Sequence, residues 1–115
     1  MPYLLIQTNV DISEAAQDAL LKTSSTMLAT QLGKPVGYMM AGIAPMQRMI
    51  FAGTDGPTAF LILKSIGLPE SKLKALSAAL CTLVSEHTDI PPKRIYIEFV
   101  DVQARYWGHN GGTFG

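Results

Sequence analysis

Cysteine is nearly absent: Cys81 is the only one in 115 residues. A single thiol closes no internal disulfide, and it fits a reducing compartment. Charged residues are also few, 16% of the chain, and nine basic residues balance nine acidic ones. No basic run occurs, which argues against nucleic acid or an anionic membrane as a partner. No apolar run approaches the roughly 18 residues of a membrane-spanning helix. The opening segment Met1–Gln7 lacks a basic stretch, and its apolar part is too short for a secretory signal. A soluble, cytoplasmic protein is expected. His87, His109 and Cys81 are the only soft ligands and share no metal-ligand spacing, so neither a metal nor a cofactor is expected. The glycine-rich tail Gly108–Gly112 precedes no helix and has no Lys-Ser or Lys-Thr, so it is not a phosphate loop.

Apolar residues are plentiful, at 48%. One domain over residues 1–115 accommodates them. Tyr3 to Gln7 reads as a strand. Asp11, with Glu14 three residues on, reads as a helix start. The helix runs from about Ile12 to Leu32 and stops at Gly33-Lys34-Pro35. Val36 to Ala44 reads as a second strand. The order then repeats. Ala59 to Ile66 is a strand, and Glu70 to His87 is a helix whose apolar residues fall at spacings of three and four. Pro91 and Pro92 end it. Ile95 to Asp101 alternates strictly, as a half-buried strand does. The two halves, residues 1–50 and 58–101, read as internal repeats. Leu4 matches Phe60, and Tyr38 falls near Tyr96. The fold class is therefore α+β, a duplicated βαβ with a four-stranded mixed sheet and two helices on one face.

Tyr3-Leu4-Leu5-Ile6 and Ala59-Phe60-Leu61-Ile62-Leu63 are apolar on both alternating sets, the pattern of strands buried on both faces. Two helices cover one face, and no third helix exists for the other. A bare apolar sheet is rare in a monomer, so the chain is expected to oligomerise through it.

Pro2 follows the initiator Met1. Methionine is usually trimmed before a small residue, and trimming here leaves a secondary amine that can act as a base. Cys81 lies mid-helix among apolar residues and reads as an inert thiol. His87 reads as a helix-end residue. Lys34 has two readings. It is a cation complementing a helix carboxy terminus, or a functional cation where the chain turns back to the sheet.

Pro2, Thr8-Asn9-Val10, Gly33-Lys34-Pro35, Ser65-Ile66-Gly67, Arg94-Ile95-Tyr96-Ile97 and Asn110-Gly111-Gly112-Thr113-Phe114 occur in that order. Together they resemble the macrophage migration inhibitory factor family of the tautomerase superfamily, over the whole chain. The resemblance implies a homotrimer whose sheets line a central barrel. It also implies keto–enol tautomerisation of small aromatic 2-oxo acids such as phenylpyruvate, with dopachrome-like compounds as artificial substrates. By resemblance, Pro2 is the general base, Lys34 binds the substrate carboxylate, and the Ile66 N–H adds a hydrogen bond. Tyr3, Tyr38, Trp107 and Phe114 form an aromatic wall, and Tyr96 comes from the neighbouring subunit. The alternative is a non-catalytic, cytokine-like protein that binds a protein receptor. A ligand-sensing βαβ regulatory domain is a third reading, and it needs no free amino terminus.

Three positions depart from the family pattern. Glu98 replaces an asparagine and projects on the same face as Tyr96. There it would repel an acidic substrate and stabilise a protonated Pro2, so weak activity is expected. His109 stands where a tryptophan is common. Thr58-Ala59-Phe60-Leu61 occupies the place of a Cys-x-x-Cys found in some members, which removes any thiol–disulfide activity.

Overall fold

The computed structural model describes residues 1–115. Strand β1 (Pro2–Thr8) is followed by helix α1 (Glu14–Leu32) and strand β2 (Met40–Ala44). Strand β3 (Ala59–Ile66), helix α2 (Leu73–Thr88) and strand β4 (Ile95–Val102) repeat that order. The sheet order is β2-β1-β3-β4. β1 and β2 are parallel, as are β3 and β4, while β1 and β3 run antiparallel and join the halves. The sheet is thus mixed, with the first strand of each half at its centre.

Alternation along the strands sorts the side chains. Leu4, Ile6, Leu61 and Leu63 are fully buried, and they pack with Leu20, Leu28, Leu76 and Leu80 of the two helices. Each such side chain contributes about 1.5–3 kcal/mol of apolar burial. The opposite face carries Leu5, Phe60 and Ile62, each only half-buried, and Tyr96, which is 61% exposed. No helix of the chain covers that face. No helix is long and apolar enough to cross a membrane.

Several boundaries differ from expectation. Ser13, not Asp11, caps α1: its Oγ accepts the Ala16 N–H at 3.2 Å. The hydroxyl sits where a side-chain oxygen reaches the third helical amide, and Asp11 lies two residues too early for that. The helix ends as expected, at Gly33 with φ +64°, a left-handed conformation that glycine adopts without steric cost. Val36–Tyr38 is a tight 3-10 turn rather than strand. Pro35 has its φ fixed by the ring, and its carbonyl accepts the Tyr38 N–H. β2 therefore begins only at Met40. Glu70–Lys72 is likewise a 3-10 turn leading into α2, started by the Pro69 carbonyl accepting the Lys72 N–H.

Polar side chains pin the far end of β1. Thr8 Oγ1 donates to the Thr58 carbonyl, and Thr58 Oγ1 donates to the Arg94 carbonyl, both at 2.7 Å. Asn9 Nδ2 donates to the carbonyls of Asp55 and Gly56, and Asn9 Oδ1 accepts the Thr58 N–H. Buried polar groups need such partners. Here they lock the loop before β3 to both halves of the sheet.

Candidate functional site

The site forms at the amino-terminal end of β1. A strand's first residue is a place where proline costs little, because its missing N–H breaks no ladder bond. Pro2 pairs with Ser65 of β3. On the next rung Met40, Tyr3 and Lys64 lie side by side across β2, β1 and β3. Their side chains share the bare face of the sheet, by strand alternation.

A cavity of about 550 Å³ opens over this end of the sheet. Met40, Tyr3, Lys64 and Val102 come from the sheet, while Tyr38 and the carboxy-terminal segment supply the walls. That segment includes a small hairpin of β5 (Gly108–His109) and β6 (Gly112–Thr113). Its turn residues Asn110 and Gly111 both have positive φ, 50° and 81°, the requirement of a tight two-residue hairpin turn. Folding back places the Phe114 ring against His109, stacked at 5.6 Å with a 20° tilt between planes. Trp107 joins the same wall.

Lys34 approaches from the helix side. Its Nζ donates to Ser65 Oγ at 3.0 Å and to the Ile66 carbonyl. Because Ser65 is the rung partner of Pro2, the ammonium stands beside the chain terminus. The α-amino group of Met1 responds. Its pKa is lowered from the ordinary 8.0, first by burial, then by the charge of Lys34 and a hydrogen bond with it. Both burial and a neighbouring cation disfavour a protonated amine.

Pro2, Tyr3, Tyr38, Trp107 and Phe114 thus meet at one cavity. Lys34 and Ile66 lie just behind Pro2. Tyr96 and Glu98 do not line the cavity of their own chain. The register puts them beside Phe60 and Ile62 on the bare face. The Tyr96 ring rests on Phe51 at 4.7 Å. Arg94 is not available to pair with Glu98. It donates to the carbonyls of Thr54, Gly56 and Pro57 and stacks on Phe51. Cys81 lies apart on α2, and burial pushes its thiol pKa up, as suits an unreactive side chain.

Sequence reasoning missed Lys64, Met40, Val102 and Tyr106, all of which line the cavity. Lys64 carried a signal: it is the one polar residue of the alternating set Phe60, Ile62, Lys64, Ile66.

Comparison with known proteins settles the family. The family model for macrophage migration inhibitory factor (MIF) matches residues 1–115. The chain belongs to the macrophage migration inhibitory factor family. It is 40% identical over 116 residues to a macrophage migration inhibitory factor homolog of Brugia malayi, covering 100% of both chains. It is 36% identical over 115 residues to the macrophage migration inhibitory factor of Mus musculus, covering 99% of both. Among solved structures, the family homologue from Prochlorococcus marinus superposes with a TM-score of 0.94 at 40% identity, covering 98% of this chain and 99% of that one. The α+β architecture of a four-stranded mixed sheet and two helices is the family's own.

Proposed function

We propose that this family member is a keto–enol tautomerase of small aromatic 2-oxo acids, with the Pro2 nitrogen as its general base. The observation that carries this reading is the Lys34 ammonium, hydrogen-bonded to the rung partner of Pro2 beside an aromatic cavity. While Met1 is attached, the Pro2 nitrogen is an amide without basicity. Removal of Met1 leaves a secondary amine at the same place. The surroundings that depress the Met1 amine, burial and Lys34, then act on Pro2. Lowering the pKa of that amine raises the fraction that is unprotonated at physiological pH, which is what proton abstraction next to a ketone needs.

The reaction moves one proton and no net atoms. Pro2 takes the proton from the carbon beside the ketone, and the electrons of that C–H bond form the C=C bond. The carbonyl π pair moves to oxygen, and the proton returned to that oxygen completes the enol. Lys34 and the backbone N–H of Ile66 hold the substrate carboxylate. Tyr3, Tyr38, Trp107 and Phe114 enclose the ring.

The assembly that completes this site is a homotrimer. The half-buried sheet face with Leu5, Phe60 and Ile62 needs a partner, and packing three such faces around a barrel supplies one. Tyr96 and Glu98 then reach a neighbour's cavity. Glu98 there opposes both the substrate carboxylate and the loss of the Pro2 proton. Glu98→Asn is expected to raise kcat/KM for phenylpyruvate near neutral pH by about 3- to 10-fold, the effect of removing one unfavourable charge contact of about 1 kcal/mol. Steady-state kinetics check this, and an unchanged rate removes Glu98 from the account.

The test of the function is one sample measured twice. Intact mass establishes that Met1 is gone, and a phenylpyruvate assay follows enol formation. A processed protein with no turnover above buffer sinks the tautomerase reading. The second reading is a signalling protein with a protein receptor, favoured by relatives named for inhibiting macrophage migration. Pro2→Gly separates the two, since it leaves a mobile primary amine that lowers turnover, whereas receptor binding through the outer surface does not need the proline ring.

A further inference from the structure

We infer that Lys64 determines which acids this cavity accepts: it selects 2-oxo acids that carry a second anionic group at the end remote from the carboxylate held by Lys34. The inference rests on the tautomerase reading and names the substrate class for the same site.

Lys64 and Ser65 are successive residues of β3, so their side chains leave the sheet on opposite faces. Ser65 is fully buried on the helix side, where its hydroxyl receives Lys34. Lys64 is exposed on the bare face, in the cavity. Two ammonium groups therefore reach the Pro2 end of the sheet from opposite sides. Their states differ. Lys34 already gives two of its three N–H donors to Ser65 and Ile66. Lys64 gives no hydrogen bond within the chain, which leaves all three donors for a ligand.

The rest of the lining sharpens the point. None of the twelve cavity residues is Asp or Glu, so no carboxylate of the same chain neutralises Lys64, and the only one the trimer brings to the site is a neighbour's Glu98. The remaining lining offers aromatic and apolar surface, chiefly Tyr3, Tyr38, Trp107 and Phe114. Glu98 is the one acidic residue that the register places on the bare face. It sits opposite Ile62, one diagonal step from Lys64, and no hydrogen bond joins them. A flat aromatic acid held by Lys34 at one end passes over Tyr3 and brings its far end to Lys64. A neutral far end leaves that ammonium unpaired as the ligand excludes water. An anionic far end gains a charge-assisted hydrogen bond.

The experiment reads binding without turnover. Trp107 is the only tryptophan of the chain and lines the cavity, so its fluorescence reports occupancy. The Met1-processed protein is titrated with cinnamate and with 4-carboxycinnamate, planar acids that differ by the second anion. The dicarboxylate is expected to bind about tenfold more tightly. Lys64→Gln is expected to erase that preference through loss on the dicarboxylate, and Lys64→Arg to keep it. Raising the salt concentration should narrow the gap in the wild type. Equal affinities in the wild type overturn the inference. So does an equal loss of both ligands in Lys64→Gln, or a preference that survives it. Phenylpyruvate turnover is recorded on the same sample. Its absence beside the expected binding pattern counts against the tautomerase reading and leaves the role of Lys64 in binding intact.

Discussion

Inserting one alanine between Met1 and Pro2 is expected to lower kcat/KM for phenylpyruvate by about 10²- to 10⁴-fold, the usual contribution of a positioned general base. After trimming, the mature chain begins at the added alanine, and the Pro2 nitrogen is an amide. Its lone pair is delocalised into the carbonyl and accepts no proton. The fold has no reason to change, since β1 pairs from Pro2 onward and the addition projects into the cavity beside Met40 and Tyr38. Pro2→Gly is a milder lesion. It keeps an amine and loses the ring that fixes φ, so the base becomes mobile. A loss of about 10- to 100-fold is expected, the scale of a small misplacement of a catalytic group. The order of the two effects is the diagnostic. If the insertion retains full activity, proton transfer does not use Pro2.

Lys34→Met is the second large effect, an expected drop of about 10- to 100-fold in kcat/KM. A charge-assisted hydrogen bond to the substrate carboxylate is worth about 1.5–3 kcal/mol, and each 1.4 kcal/mol is tenfold. The pH profile carries a second signature. The terminal amine must be deprotonated to act, so activity rises with pH through its pKa. Lys34 helps to lower the pKa of the Met1 amine from the ordinary 8.0, and the same cation stands beside the Pro2 amine once Met1 is removed. Removing the cation makes the protonated amine easier to form, so the pKa rises and the acidic limb of kcat/KM moves to higher pH. The move is partial, because burial is the larger cause and remains. A lysine that served only the helix end would leave the limb in place. Its removal would cost only about 0.3–1 kcal/mol of stability.

Much of this was legible in the residues. The apolar alternation of β1 and β3 gives both the sheet and its uncovered side, because the same period fixes burial and exposure. Alternation also places Tyr96 and Glu98 away from the helix side, and the register bears this out. What escaped depends on geometry closer than a period. Asp11 and Ser13 are equally good caps in isolation, and only the path of the chain decides which oxygen meets the Ala16 amide. Val36–Tyr38 has strand-like residues, yet the turn closed on the Pro35 carbonyl outweighs them. Lys64 sits inside an apolar strand, and its place on the Tyr3 rung follows only from antiparallel pairing across β1. The Asn110-Gly111 turn is a strong local hairpin signal. Its partners are too short to announce themselves as strands.

Chain termini ordinarily fray, since they are tethered on one side only. Here the terminal strand is central: β1 is bonded to β2 along one edge and to β3 along the other, and Pro2 itself faces Ser65. Releasing the first residues means parting the two halves of the sheet, so the terminus belongs to the last cooperative unit to open rather than the first. The placement of the amino terminus and global folding are therefore coupled in this molecule. On heating, the terminal strand should stay in place until the sheet itself melts, with no earlier loosening at that end.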